Sequence, residues 1–135
     1  MEGTLPIIAE RAMYLPSPTG EICHDSIGFS ATHNVFFLPD GQTTDGCETY
    51  TLVQNPNGVP VDVRIDYLME GGVGNSSHIY TLDPDSRATF LMNDLASGRG
   101  AVKVTCTSGE DIMVERAMYW NGRQAAANTI GGYTD

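Results

Sequence analysis

The sequence predicts an all-β protein in which two antiparallel sheets pack as a β-sandwich, with an immunoglobulin-like arrangement of strands. Short segments in which apolar and polar residues alternate recur about every ten positions along the chain. Gly, Pro, Asn and Asp separate these segments, and these residues favour turns. No segment keeps a helical period beyond about one turn, so long helices are not expected. A jelly roll or a Greek-key barrel is the alternative arrangement for the same strands.

The predicted strands follow one another with turn residues between them. They cover residues 34–38, 48–54, 59–68, 77–82, 87–92, 101–107 and 111–120. In the clearest strand, 59–68, the apolar residues occupy every second position: Val61, Val63, Ile65 and Tyr67. The charged residues between them predict that one face lies in the core and the other in water. Residues 39–41 and 83–85 are predicted turns, and residues 93–98 have a weak helical spacing.

Length and charge limit the classes of function. The chain has 135 residues, a formal net charge of −10 and a sequence pI of about 4.4. This length predicts one domain with one hydrophobic core. An acidic chain without a Lys or Arg cluster is not expected to bind nucleic acid or an anionic membrane through charge. No apolar run approaches the roughly 20 residues of a membrane helix, so membrane insertion is not expected either.

One segment of the sequence occurs twice. Glu-Arg-Ala-Met-Tyr stands at Glu10–Tyr14 and again at Glu115–Tyr119, 105 positions later. Downstream, Asp25–Gly28 resembles Asn128–Gly131 once two positions are gapped. The interpretation is a single β-sandwich domain over residues 1–135, which holds one repeat period of about 105 residues and the opening of the next. Residues 6–15 and 111–120 are the predicted repeat strands.

The repeated segment also predicts a structural contact. Neighbours in a strand point to opposite faces, so the adjacent Glu and Arg cannot pair with each other. Each must find a partner elsewhere or reach solvent. We therefore expect Glu10, Arg11, Glu115 and Arg116 to form either a bridge that fixes strand register or a junction through which consecutive repeats dock. A ligand contact is the alternative role.

Three segments together resemble a known family. They are Glu-Arg-Ala-Met-Tyr-Trp at 115–120, Glu-Thr-Tyr-Thr-Leu-Val-Gln-Asn-Pro-Asn at 48–57 and Asp-Ser-Arg-Ala-Thr-Phe-Leu-Met-Asn at 85–93. In this order they resemble a bacterial secreted repeat, a domain of unknown function that occurs in tandem copies in cell-envelope and extracellular proteins. The resemblance covers about residues 6–133. The chain departs from the family pattern at Leu15, where an aromatic residue is expected, and in its three cysteines.

The resemblance implies an exported, extracellular or cell-surface module that is not an enzyme, and it carries over no catalytic residue. The first residues lack a secretory signal pattern, as expected for a fragment of a larger exported protein. The expected function is that of a spacer or adhesion stalk. Its partners would be neighbouring repeats and a surface glycan or protein. The N-terminal copy of the strand can pair within the domain or swap into a neighbour, which would give a strand-swapped homo-oligomer.

No motif in the chain predicts catalysis or a cofactor. Cys23 and His24 are adjacent, but their side chains would point apart in a strand, and no nucleophile elbow accompanies them. The acidic loops at 40–48 and 83–85 lack the ligand spacing of an EF-hand, and turn capping by Asp explains them without a metal. We therefore predict no catalytic residue, no cofactor and no metal site, with calcium in one of these loops as the alternative.

Aromatic residues suggest a second function, carbohydrate binding. Tyr119 and Trp120 end the second repeat strand and could form an aromatic platform for a sugar, although most such rings pack in cores.

The pairing of the three cysteines is a separate question. Three reduced thiols are one prediction. If the protein is exported, a disulfide between Cys23 and Cys47 is preferred, because Cys47 and Cys106 would lie at opposite ends of the sandwich.

Overall fold

The structure, a computed structural model, describes residues 4–134, so the ends of the predicted domain, residues 1–3 and 135, lie outside it. The described chain forms strands β1 Glu10–Ser17, β2 Gly20–Ile27, β3 Val35–Gln42, β4 Glu48–Asn55, β5 Val61–Met69, β6 Ser76–Leu82, β7 Ser86–Leu91, β8 Arg99–Cys106, β9 Met113–Trp120, β10 Ala125–Ile130 and β11 Gly132–Thr134. Two 3-10 helices, Glu70–Gly72 and Met92–Asp94, have three residues each. No helix of this part of the chain is long and apolar enough to cross a membrane.

Nine strands form two sheets, and the prediction of an antiparallel β-sandwich is confirmed. One sheet has the order β10-β9-β4-β7, and the other has the order β11-β3-β8-β5-β6. All paired strands are antiparallel. The two remaining strands, β1 and β2, form a hairpin of their own, which we call the N-terminal hairpin. The pair β9 and β10 is called the C-terminal hairpin.

The core lies between the two sheets. Its largest fully buried side chains come from both layers: Phe36, Leu38, Ile65, Tyr67 and Met92, with Val53, Val61, Val63, Val102, Val104, Ile112 and Val114. Strand β5 follows the predicted alternation, because the four predicted core residues are buried and the charged residues between them are exposed or half-buried. None of these core residues belongs to the N-terminal hairpin, so the sandwich encloses its core without it.

The predicted turn at residues 39–41 is wrong. Strand β3 continues to Gln42, and its register with β8 shifts between Leu38 and Gly41, which is a β-bulge. A Cβ atom at Gly41 would lie 3.1 Å from the Met92 sulfur and 3.3 Å from the Gly100 carbonyl oxygen. The turn-forming residues are thus tolerated inside a strand, since pairing with β8 resumes after the bulge and the crowded position has no side chain.

Other boundaries differ from the predictions. The repeat strands begin at Glu10 and Met113, later than predicted. The weak helical spacing at 93–98 overlaps the 3-10 helix Met92–Asp94 at residues 93 and 94 only. Strands β2, β10 and β11 were not expected. The alanine-rich β10 lacks an alternating pattern, and all six of its residues are half-buried. It is a strand because it pairs with β9 along its whole length.

Candidate functional site

The repeated segment folds into the same hairpin twice. In the N-terminal hairpin Glu10 pairs with Ile27, and in the C-terminal hairpin Glu115 pairs with Ile130. The return strands therefore match each other, as the first strands do. The N-terminal hairpin is two residues longer in all, although its turn, residues 18–19, is shorter than the C-terminal turn, residues 121–124. The C-terminal hairpin is part of the four-stranded sheet, whereas the N-terminal hairpin lies against the outer face of that sheet, with β2 close to β10.

An ion pair connects the two copies. The Arg11 guanidinium donates from Nη2 to Glu115 Oε1 at 2.6 Å. Asn128 Nδ2 donates to the same carboxylate oxygen. Ser26 Oγ lies 3.5 Å from Arg11 Nη2. The Glu115 side chain is only 19% exposed, so this carboxylate is partly desolvated and is satisfied by donors from both hairpins.

The other two predicted junction residues do not join this contact. Glu10 is exposed on the outer side of the N-terminal hairpin and forms no ion pair within residues 4–134. Arg116 is directed between the sheets, where it donates from Nη1 to the backbone oxygen of Asp40. Burial lowers the pKa of the Arg116 guanidinium. Alternation along the strand separates Arg116 from Glu115, so of the four residues only Arg11 and Glu115 meet.

A second cluster lies further along the same interface. His24 is 7% exposed, and its Nε2 lies 3.2 Å from the Tyr119 hydroxyl. The Tyr119 ring packs edge-on against Tyr50, and the Arg123 guanidinium lies 5.6 Å from its centroid. Arg123 Nε donates to Glu48 Oε2 at 2.7 Å, and this pairing raises the pKa of Arg123. Burial raises the pKa of the Tyr119 hydroxyl.

Between these clusters the hairpin and the sheet leave a groove with two cavities. The larger, of about 590 Å³, lies beside the Arg11–Glu115 pair and is lined by Leu52 and Phe29. The smaller, of about 270 Å³, is lined by Arg11, Arg87 and Arg123, three of the seven basic residues in the chain. Arg87 is exposed and has no ion-pair partner in the described chain. Because Arg11 and Arg123 are paired with Glu115 and Glu48, Arg87 is the cation of the smaller cavity that has no carboxylate beside it in residues 4–134.

The predicted aromatic platform is not formed by its two residues together. Tyr119 lines the smaller cavity, whereas Trp120, the next residue of β9, lines neither cavity. Successive side chains of a strand point to opposite faces, which separates the two rings. The ring beside Tyr119 is that of Tyr50 in β4, and no signal in the sequence connects Tyr50 with β9. His24 and Arg87 were missed because only tertiary pairing brings them to the groove.

The structure contains three free thiols, so the predicted bridge between Cys23 and Cys47 is wrong. Cys23 is exposed, Cys47 is half-buried and Cys106 is buried. Cys23 lies on the outward side of the N-terminal hairpin, while Cys47 precedes β4 in the sheet that the hairpin covers. The two cysteines are thus on different layers. Cys23 and His24 point to opposite sides, as expected for neighbours in a strand.

The carboxylates of the acidic loop at 40–48 make internal contacts. Asp40 forms an ion pair with Arg99 at 3.2 Å, and Asp45 accepts a hydrogen bond from Gln42 Nε2 at 3.0 Å. Within residues 4–134 no group of three or more His, Cys, Asp or Glu side chains could hold a metal ion.

Comparison with known proteins gives a likeness of fold. No protein-family model matches this chain, and no curated protein is similar to it in sequence. Among solved structures, the chain is similar to the crystal structure of Thermotoga maritima 1070, with a TM-score of 0.67 and 15% sequence identity. The similarity covers 76% of this chain and 96% of the other. At this identity the likeness is one of fold, and the β-sandwich is what the two proteins share.

Proposed function

We propose that this chain is a non-catalytic repeat module of an extracellular or cell-surface protein, where it acts as a spacer or adhesion stalk. The observation that carries the proposal is the duplicated hairpin, whose two copies have the same strand register. One copy completes a sandwich, and the body of that sandwich, β3 to β8, lies between the two copies. A segment that recurs around a complete structural unit is typical of tandem repeat proteins.

The mechanism of such a module is mechanical. Each period supplies one sandwich with its own buried core, and the hairpin lies at the border between successive periods. Stability would then arise from each unit and from its contacts with the nearest neighbours. The net charge of −10 per chain would keep a long array soluble through mutual repulsion.

An overlapping fusion tests the repeat. Residue 111 corresponds to residue 6, so residues 1–110 followed by residues 6–135 would join two periods through one shared hairpin. We expect two folded sandwiches, a scattering profile of an elongated particle about twice as long as the single chain, and cooperative unfolding. The single chain is the control. A disordered second period, or a particle no longer than the single chain, would contradict the proposal.

Carbohydrate binding is the second candidate, and the groove favours it. The smaller cavity combines Tyr50 and Tyr119 with three arginine side chains, at a volume slightly below the roughly 300 Å³ at which small-molecule pockets begin. Arg87 has no ion-pair partner in the described chain, and arginine binds carboxylates in a forked geometry, so a sugar with a carboxylate group would fit best. A glycan array that includes uronic acids tests this. Binding should be lost in Tyr119→Ala and kept in the matched variant Trp120→Ala, and an array without signal would contradict it.

A further inference from the structure

We propose that the N-terminal hairpin can replace the C-terminal hairpin beside β4 and close the sandwich in its place. The position beside β4 that β9 and β10 now occupy is called the closing position. Because the chain has two copies of the hairpin and one closing position, the two copies compete for that position. This inference does not depend on export or on the role of a spacer.

The first argument is the match between the two hairpins. In β9, Val114, Arg116 and Met118 face the sandwich interior, and the other face turns towards the N-terminal hairpin. The corresponding inward positions of the N-terminal copy are Ala9, Arg11 and Met13. The outward positions Glu115, Ala117 and Tyr119 correspond to the identical residues Glu10, Ala12 and Tyr14. The N-terminal copy therefore has the residues that pairing with β4 requires, in the register that it requires.

The second argument is the length of the connection to β3. After the C-terminal hairpin, β11 pairs with β3, and Thr134 lies opposite Val35. Because Gly131 corresponds to Gly28, the residue that corresponds to Thr134 is Ala31. With the N-terminal hairpin in the closing position, Ala31 would lie opposite Val35, and residues 32–34 would form the turn. Three-residue loops are common between antiparallel strands, so the exchange can occur within one chain.

The packing explains why the C-terminal copy occupies the closing position here. Val114 is 1% exposed, and the N-terminal copy has the smaller Ala9 at this place. Trp120 likewise corresponds to Leu15, so the C-terminal copy buries more apolar surface. The N-terminal hairpin, in turn, fits its present site loosely, since cavities of about 590 and 270 Å³ remain beneath it. The arrangement in the structure is the better packed of the two.

Proline substitution in each copy tests the exchange in the full chain. Ala117 lies in the middle of β9, where proline removes a ladder hydrogen bond of a central strand. Ala12 is the matched position in the N-terminal copy. We expect Ala12→Pro to lower the melting temperature by only a few degrees. Ala117→Pro should remain a folded monomer that melts about 10 °C below the unmodified chain, and the double variant should be unfolded.

Hydrogen exchange locates the copy that fills the closing position. In Ala117→Pro the amides of residues 10–15 should gain protection about tenfold, while those of residues 113–120 lose it. If Ala117→Pro is as unfolded as the double variant, the N-terminal copy does not replace the C-terminal one and the proposal is refuted. A folded protein in which residues 10–15 stay unprotected refutes it as well. A folded dimer in size-exclusion chromatography with light scattering would refute the exchange within one chain.

Discussion

Replacement of Glu115 by Gln should weaken the docking of the N-terminal hairpin, whereas the matched change at Glu10 should have no effect. The two residues occupy the same position of the repeated hairpin. Glu115 accepts hydrogen bonds from Arg11 and Asn128, while Glu10 is exposed and forms no ion pair within residues 4–134. Gln keeps the shape of the side chain but removes the negative charge that both donors share.

The expected loss follows from the burial of the pair. The side chains of Arg11 and Glu115 are 39% and 19% exposed, so solvent screens the interaction only in part. Exposed ion pairs contribute about 0.2–1 kcal/mol, and breaking a fully buried pair costs about 3–5 kcal/mol. Because the amide oxygen introduced in Glu115→Gln could still accept one hydrogen bond, we expect a loss of about 1 kcal/mol, near the exposed limit. At the Glu10 position the change should stay within about 0.5 kcal/mol.

Hydrogen exchange is the suitable assay, because the hairpin can open while the sandwich stays folded. A loss of about 1 kcal/mol corresponds to roughly fivefold faster exchange at residues 10–27 in Glu115→Gln, relative to the unmodified chain. The difference should shrink in 1 M salt, since added ions screen the partly exposed pair. Equal exchange rates in Glu115→Gln and Glu10→Gln would refute the claim that the Arg11–Glu115 pair holds the hairpin.

Three further predictions concern the sandwich and its thiols. Val114→Ala should lower the free energy of unfolding by about 2 kcal/mol, measured in urea with an unchanged slope, because it opens a cavity in the closed core. Tyr67 is fully buried, and its hydroxyl has no hydrogen-bond partner in the described chain, so Tyr67→Phe should raise that free energy by about 1 kcal/mol at pH 7. Burial raises the pKa of Tyr67 above its ordinary value of 10.0. Above about pH 10 this side chain therefore ionises only in the unfolded state, and the unmodified chain should lose stability. Tyr67→Phe should reduce this loss. Thiol labelling of the native protein should modify Cys23 first and Cys106 only on unfolding, and equal rates would contradict the burial of Cys106.

Local pattern predicted those parts of the fold that depend on local signals. The alternation in β5 identified its buried face because one face of that strand lies in the core and the other in water. The strand β10 has no such signal, since all its residues are half-buried and only pairing with β9 holds it extended. The bulge at Gly41 likewise depends on Met92 and Gly100, which are distant in sequence. Residues with turn propensity were therefore misinterpreted wherever a distant partner overrode them.

The groove could not be predicted from the sequence for the same reason, although the hairpin that covers it could. Arg87 and Tyr119 come from the four-stranded sheet and His24 from the N-terminal hairpin, and no spacing in the chain indicates that they meet. The hairpin that covers them could have been found. The likeness of Asp25–Gly28 to Asn128–Gly131 already implied that the return strands are repeated together with the first strands. Two pairs of similar strands that follow each other in the same order predict that the hairpin itself is repeated.

The same hairpin in two environments also shows what its alternating Glu and Arg achieve. In the C-terminal copy the half-buried Arg116 donates to a backbone carbonyl between the sheets, and Glu115 is left on the outer face. In the N-terminal copy Arg11 meets that outer carboxylate, and Glu10 is again left outside. Each hairpin thus has an arginine of its first strand on one face and the neighbouring glutamate on the opposite face. The arginine face of one hairpin complements the glutamate face of the other. The duplicated sequence therefore provides both surfaces that two stacked hairpins need.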